Sequence, residues 1–416
     1  MTTKSDFRRR LGLGALLAAG LAFSVRAQQP PAFKSEVNVV PLDLIVLNQD
    51  GRPVPGLEAA DFQVTVDGEP RKVLSAQYLS SASSTQPAQP TLSQAKAWNA
   101  DDAFDAVYVT NERTGGEGAT PARRVVIAID QRSFGMAAGH NAAVAARGLL
   151  ELLHPTDLVG LSVFPPPGPN IAPTRDRQRL REALAQVTGA SEPYPRTEIP
   201  MTGSEALTRA SGSSSQGELL SVGCHAENAA ECRAQLDEAS RVIVDYARRA
   251  TRMSLQGLTG VIERIGADDT PTTVVLVSAG VYGGGATSRL GVEDDLRQIS
   301  RLAAESRARL YAFFVESEFL DQGSLDRPST GLSRADAELR LSGLQTIAGA
   351  SGGSVVRVSS GRTDSFRRVA LELSAYYLIG LESRPGDRDG KRHRIRVRTS
   401  RPNLTVRSRE DLYLPA

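Results

Sequence analysis

The sequence predicts an α/β protein, a doubly wound parallel sheet with helices on both faces, carrying β-rich segments at both ends of the chain. Three observations predict it. Val125–Asp130 is a short, unbroken apolar run, the pattern of a strand covered on both faces rather than on one. From there strand-like and helix-like stretches alternate, as repeated β–α units of a parallel sheet require. Residues 35–80 and 375–416 instead carry short extended runs separated by turn signals.

In chain order, residues 1–27 read as a secretion signal. Arg8-Arg9-Arg10 precedes the apolar run Leu11–Phe23, and Val25-Arg26-Ala27 supplies a small-residue cleavage site. The alternative is a retained anchor, for which the run is short. Cleavage after Ala27 predicts an exported protein, periplasmic or extracellular, with no membrane span left. It also removes five basic residues (Lys4, Arg8, Arg9, Arg10, Arg26) and one acid (Asp6), which turns a formal net charge of +2 into −2. The basicity therefore belongs partly to the targeting segment, and a nucleic-acid partner is not expected.

Residues 28–80 form an N-terminal β-rich segment. Val37, Val39, Leu42, Leu44 and Val46 lie in one extended run, and Asn48-Gln49-Asp50-Gly51 supplies a turn. Phe62–Val66 alternates, and Asp67-Gly68 signals a hairpin before Arg71–Tyr78. Residues 81–121 have linker composition, rich in Ser, Gln, Pro and Ala and later in Gly.

The α/β region spans 122–374. Strands are expected at Val125–Asp130, Leu158–Phe164, Thr273–Ser278, Leu310–Val315 and Ser354–Val358. Helices are expected at about 137–153, 175–187, 234–265, 292–306, 334–348 and 364–374. Pro165-Pro166-Pro167-Gly168 stops the second strand. Residues 189–233 break the rhythm with Pro, Ser and Gly and read as an irregular insertion. The C-terminal β-rich segment, 375–416, holds strands at Tyr376–Leu381, His393–Thr399 and Leu404–Ser408. The only cysteines, Cys224 and Cys232, predict a local disulfide in an oxidising compartment, with two free thiols as the alternative.

Several segments together carry a resemblance. They are Val54-Pro55-Gly56-Leu57, Asp61-Phe62-Gln63-Val64 with Asp67-Gly68, the Val125–Asp130 strand, and Asp157-Leu158-Val159-Gly160. Thr273–Ser278, Tyr376-Tyr377-Leu378-Ile379-Gly380, Asp389-Gly390-Lys391 and Asp411-Leu412-Tyr413 complete the set. In this order they resemble the bacterial VWFA-related (von Willebrand factor type A-like, VWA) domain proteins, a group abundant in Acidobacteria. The resemblance implies a central VWA-like, Rossmann-like domain. It also implies a β-sandwich-like flanking domain built from both ends of the chain, with 375–416 packing on 35–80. It implies no activity.

A VWA metal site draws oxygen ligands from Asp-x-Ser-x-Ser after the first strand, a Thr on a second loop and an Asp after a later strand. Here the first motif gives Asp130, Arg132 and Phe134, with Ser133 out of step. The later acid falls on Ala279 of Ser278-Ala279-Gly280, and Thr202 is a poor match for the remaining ligand. A hard divalent cation needs several oxygens, so no metal and no cofactor are expected. Arg132 is placed to pair with Asp130 and replace the missing cation's charge, or else to face solvent.

Other chemical signals have plain readings. Gly349-Ala350-Ser351-Gly352-Gly353 fits G-x-S-x-G, but a helix precedes it and a strand follows, the reverse of a nucleophile turn. His140, His154, His225 and His393 are scattered, and spacing pairs none of them with a carboxylate helix. Arg392, Arg394, Arg396 and Arg398 share one face of a strand. From Arg384 to Asp411 there are ten basic residues against four acids. That stripe suits a polyanion partner; the alternative is a solvated strand whose charge discourages edge pairing.

The sequence thus predicts an exported, non-catalytic protein–protein interaction module on a VWA scaffold with a degenerate metal site. Binding is expected through Asp130, Arg132, Ser133, Phe134, Gly280 and Tyr282 at the carboxyl edge of the sheet, an assignment by fold analogy. The alternatives are a metal-dependent adhesion protein and a cell-envelope hydrolase.

Overall fold

Period two sends successive side chains of a strand to opposite faces, and strand β1 (Val39–Leu47) uses both. Leu42, Leu44 and Val46 join a core with Phe62, Tyr377 and Ile395. Ile45 and Leu47 turn the other way and join a second core with Ile127, Leu149 and Phe366. One strand is therefore shared by two hydrophobic layers. The structure is a computed structural model that describes residues 39–80, 123–199, 201–212, 229–268, 270–315, 334–358 and 364–414. The expected signal segment 1–27, the whole linker 81–121 and Cys224 lie outside them.

Two antiparallel sheets enclose the first core. One has the order β13-β1-β11-β4, with β4 at Val73–Ser80, β11 at Ala375–Glu382 and β13 at Thr405–Ser408. The other has the order β14-β12-β2-β3, with β2 at Phe62–Val66, β3 at Glu69–Arg71, β12 at Arg392–Thr399 and β14 at Asp411–Tyr413. Both draw strands from both ends of the chain. β1 and β11 pair from Val39 opposite Glu382 to Leu44 opposite Tyr377. The Tyr377 hydroxyl, buried between the sheets, donates to the Val54 carbonyl at 2.8 Å and accepts from the Leu57 N–H at 2.9 Å.

The third sheet has six strands in the order β10-β9-β8-β5-β6-β7. These are β5 (Arg124–Asp130), β6 (Leu158–Phe164), β7 (Asn170–Thr174), β8 (Thr272–Ser278), β9 (Ala308–Val315) and β10 (Val355–Val358). All neighbours are parallel except β6 and β7. The prolines after Phe164 end β6 as expected, but the chain turns back as an antiparallel edge strand. Pro173 is tolerated there because an edge leaves one side unpaired.

Alternation divides this sheet between two helical layers. Val126, Ala128, Val274, Leu276 and Phe314 face α4 (Ala229–Ile265), α5 (Ala286–Leu290), α6 (Glu293–Glu305) and α7 (Arg334–Ala350). Val125, Ile127, Ile129, Val275 and Phe313 face α1 (Met136–Leu150), α2 (Arg177–Ala185), α8 (Asp364–Leu373) and the second face of β1. In α4 the predicted stripe Leu258, Val261, Ile262 and Ile265 is buried. The stretch read as irregular holds α3 (Gly203–Ala210), opened by a Thr202–Glu205 capping box, and α4 begins within it. Cys232, in the first turns of α4, is buried and disulfide-bonded. No described helix is long and apolar enough to cross a membrane.

Ion pairs join the α/β layer to the antiparallel sheets. Glu372 of α8, 1 % exposed, accepts from Arg407 of β13 at 2.7 Å and from Arg368 at 3.2 Å. Within the α/β unit, buried Asp157 receives the Arg123 guanidinium, which also reaches the Leu373 carbonyl. Leu44→Ala and Ile45→Ala act on different cores through one strand, and each is expected to lower stability by about 2–5 kcal/mol. Urea denaturation followed by circular dichroism should show one shared transition moving to lower urea in both.

Candidate functional site at the sheet switch point

Chain order reverses across β5: β6 lies on one side and β8 on the other, so their carboxyl ends part at a crevice, where open α/β sheets place ligands. Asp130 ends β5 at this point, and Gln131–Ser133 form a single 3-10 turn. Ser133 stitches the two strand ends together: its hydroxyl donates to the Asp130 carbonyl at 2.7 Å and accepts from the Ala279 N–H at 2.9 Å. The Gln131 amide reaches the Pro165 and Pro167 carbonyls on the other side.

Asp130 is 1 % exposed. Its Oδ2 accepts from Ser254 at 2.7 Å and Ser278 at 3.1 Å, and Ser278 in turn accepts from the Gly280 N–H at 3.0 Å. Its Oδ1 has no partner among the described residues. Burial pushes the carboxyl above the ordinary aspartate range, against the pull of the two hydroxyls and of the nearby Arg340 charge. Ser254 lies on α4, 124 residues away, and no local motif marks it.

The loop after β8 lies against α7. The Val281 N–H donates to the Arg340 carbonyl and the Gly283 N–H to the Leu339 carbonyl. Gly280 holds φ +104°, and a Cβ there would sit 2.6 Å from the Cβ of Arg340, so both conformation and space require glycine. Tyr282 is buried under the Arg340 guanidinium, 5.8 Å from its ring centroid. Burial pushes its hydroxyl up to about 12. Asp336, fully buried, accepts from the backbone N–H groups of Gly203 and Ser204 and so caps α3.

The predicted site residues thus come together, but most are not accessible. Phe134 is 0 % exposed and belongs to the core with α1, so it is not a surface anchor. Arg132 does not pair with Asp130. It turns outward to Glu192 at 3.1 Å, because the Asp130 carboxylate is enclosed below the turn. Glu192 belongs to a covering segment that continues beyond it: Ala190 and Ser191 bond to the Gln131 and Phe134 carbonyls at 2.8 Å. Tyr194 packs edge-on against Tyr246, 5.5 Å between centroids. Met136, 83 % exposed beside Gly135, is the large apolar side chain this rim presents; its place in the first turn of a helix gave no signal in the sequence.

A divalent cation does not fit these residues. Phe134 is in the core, Arg132 carries positive charge, Ser133 is engaged by two backbone groups, and one Asp130 oxygen holds two hydroxyls. What is left cannot approach the six oxygens such an ion takes. Among the described residues no group of three or more His, Cys, Asp and Glu side chains is placed to hold a metal.

Two further signals are settled by geometry. Ser351 of the G-x-S-x-G stretch is buried, donating to the Ala348 carbonyl and accepting from the Leu310 N–H, as a helix-to-strand connection requires. His393, which spacing left without a carboxylate, lies between two: Nδ1 is 2.7 Å from Asp67 and Nε2 3.0 Å from Asp389. The first partner comes from the opposite end of the chain, which spacing cannot reveal. Hydrogen bonding to Asp67 raises the imidazole above its ordinary value, and the same contact lowers Asp67.

No protein-family model matches the sequence, and neither does any curated protein. Among solved structures, human COPII-coat protein Sec24c aligns with 71 % of this chain and 44 % of its own, at 10 % identity and a TM-score of 0.26. The chain thus spans less than half of that protein's length, and a likeness so weak carries no argument.

Two outcomes follow. Asp130→Asn keeps an acceptor for both serines and removes a buried charge, so at pH 7 it is expected to be no less stable than the parent. Asp130→Ala strands two hydroxyls and should cost about 1–3 kcal/mol; paired denaturation curves read both. The His393 clamp contributes fully above the unfolded aspartate value near 3.8 and below the unfolded histidine value near 6.5. It is lost as pH falls through the lowered Asp67 value or rises through the raised His393 value. A melting profile across pH 3–9 should show that optimum in the parent and flatten in His393→Gln.

Proposed function

We propose that the chain is an exported, non-catalytic interaction protein whose α/β region is a VWA-like domain with a dismantled metal site. The observation that carries this reading is the closed crevice. One oxygen of the acid at the end of β5 is held by Ser254 and Ser278, the whole carboxylate is buried, and the covering segment around Glu192 bonds across the turn that follows it. The crevice therefore offers a rim rather than a cavity: Arg132 with Glu192, exposed Met136, and the Gly284-Gly285 turn. An exposed apolar side chain beside an ion pair suits docking onto a protein surface, where a few anchors carry most of the energy.

Position-specific photo-crosslinking in the cell envelope tests this. A benzophenone amino acid at Met136 or Arg132 is expected to capture a discrete partner. The same group at Gln178, exposed at the amino edge of the sheet, is expected to capture none. Capture at neither rim position, or equally at Gln178, would end the rim assignment. Metal independence is read separately. After chelation, millimolar Mg²⁺, Mn²⁺ or Ca²⁺ should leave the melting temperature unchanged, since binding to the folded state alone must raise it. A saturable rise abolished by Asp130→Ala would instead support metal-dependent adhesion.

A further inference from the structure

The arginine stripe of β12 lies far from the crevice rim in its chemistry and carries a second surface. Exposure alternates along the strand: Arg392, Arg394, Arg396 and Arg398 are exposed, while His393 and Ile395 are buried. Arg392 is committed to Asp411, its Nε 2.8 Å from the carboxylate. The guanidiniums of Arg394, Arg396 and Arg398 have no ion pair or hydrogen bond among the described residues. All three line a cleft of about 530 Å³, together with Val406 and Glu410. Arg407 also borders it but is held by Glu372. Three free cations therefore face one carboxylate. Gly352 and Gly353 line the same cleft, packed against the backbone of Ser408 and Arg409 and of Leu310 respectively.

Among the described residues the same strand has an open edge there. On one side β12 pairs with β2 from Ile395 to Thr399. On the other it pairs with β14 only from Arg392 to Arg394. The Arg394 carbonyl accepts from Asp67 on the β2 side, and the Ile395 N–H donates to Glu410 on the β14 side. Alternation then directs the backbone groups of Val397 and Thr399 toward the β14 side, beyond the last residue that β14 pairs.

We propose that this edge binds an extended acidic segment of a partner protein as an added antiparallel strand. Its carboxylates stand at alternate positions against Arg396 and Arg398, with Arg394, already beside Asp411 of β14, at the end of the added strand, and its intervening small residues stand beside Val397. The spacing selects this partner. Arginines two residues apart are about 6.6–6.8 Å apart along the strand, and an extended peptide repeats its side chains at the same interval. Cross-strand opposite charges stabilise such pairs, the guanidinium fork matches a carboxylate in two hydrogen bonds, and the open edge supplies backbone bonds, the usual mode of strand addition.

The test is fluorescence anisotropy of the purified protein with a labelled peptide, Val-Asp-Thr-Asp-Val-Asp-Thr. It is expected to bind about ten-fold or more tightly than its isomer Asp-Asp-Asp-Val-Thr-Val-Thr. Arg396→Gln should reduce binding, and the triple change Arg394→Gln, Arg396→Gln, Arg398→Gln should abolish it with no change in melting temperature. Arg392→Gln should leave it intact. A second arm leaves the protein untouched. N-methylation at the Val and Thr residues, whose N–H groups would face Val397 and Thr399, should abolish binding, and N-methylation at the aspartates should not. Equal binding of the two isomers, indifference to N-methylation, or tighter binding of polygalacturonate would overturn the proposal in favour of a simple polyanion surface.

Discussion

The structure depends on β1 being buried on both faces. A strand half-exposed to water would need only one apolar row, yet from Ile45 to Leu47 every residue is covered. One row closes the core between the two antiparallel sheets, and the other lies against the helical layer of the α/β unit. Removing β1 would expose Tyr377 and Ile379 on one side and Leu149 and Phe366 on the other. Its partner β11 comes from the far end of the chain, so the antiparallel sheets join segments that the whole α/β unit separates in sequence. The ions at this junction answer the same need. Glu372 is held by Arg407 and Arg368, and Arg409 reaches the carbonyls of Ala304 and Pro41. Removing one member would leave a charge buried without its partner, which costs more than the pair contributes.

At the crevice the doubly wound sheet has its switch point, but the interior there is filled by the chain's own side chains. Burial alone opposes an ionised carboxylate at Asp130. Two serine hydroxyls and the charge of Arg340 oppose that burial only in part, and the carboxyl stays above its ordinary range. Ser133, the one hydroxyl in the turn, is spent on holding β5 and β8 together. The loop after β8 approaches α7 so closely that Gly283 and Gly343 of α7 meet backbone to backbone and Gly280 lies against Arg340. A site assembled this tightly is structural in its interior, and any recognition has to occur on its rim.

Much of this was legible in the sequence because it rests on local pattern. Unbroken apolar runs marked β5, β6, β8 and β9, period 3.6 marked the helices, and Asp67-Gly68 marked a turn with Asp67 at φ +52°. The alternation of Arg392–Arg398 translated directly into exposure. What was not legible depends on partners distant in sequence. β7 is an edge strand defined by pairing with β6 alone, and Ser254 becomes a ligand of Asp130 only once α4 crosses the sheet. His393 finds Asp67 only when the two ends meet. Phe134 is a different case: it was expected on the binding surface, and the tight turn after Asp130 directed it inward.

The open stretch of β12 is itself a product of connectivity. After Thr399 the chain leaves this sheet to form β13, which pairs with β1 in the other sheet. It returns through Arg409 and Glu410 with only Asp411–Tyr413 left to place beside β12. A chain that must serve both sheets in so few residues cannot cover the whole strand. Such an edge invites indiscriminate pairing, and charged side chains are a common defence. Three like charges in a row repel a second copy of the same strand, because equal charges would stand opposite one another. They do not repel a strand of opposite charge. The two readings of the arginine stripe, protection of an edge and attraction of a polyanion, are therefore one physical arrangement: the charges that exclude the chain's own copies define which foreign strand the edge admits.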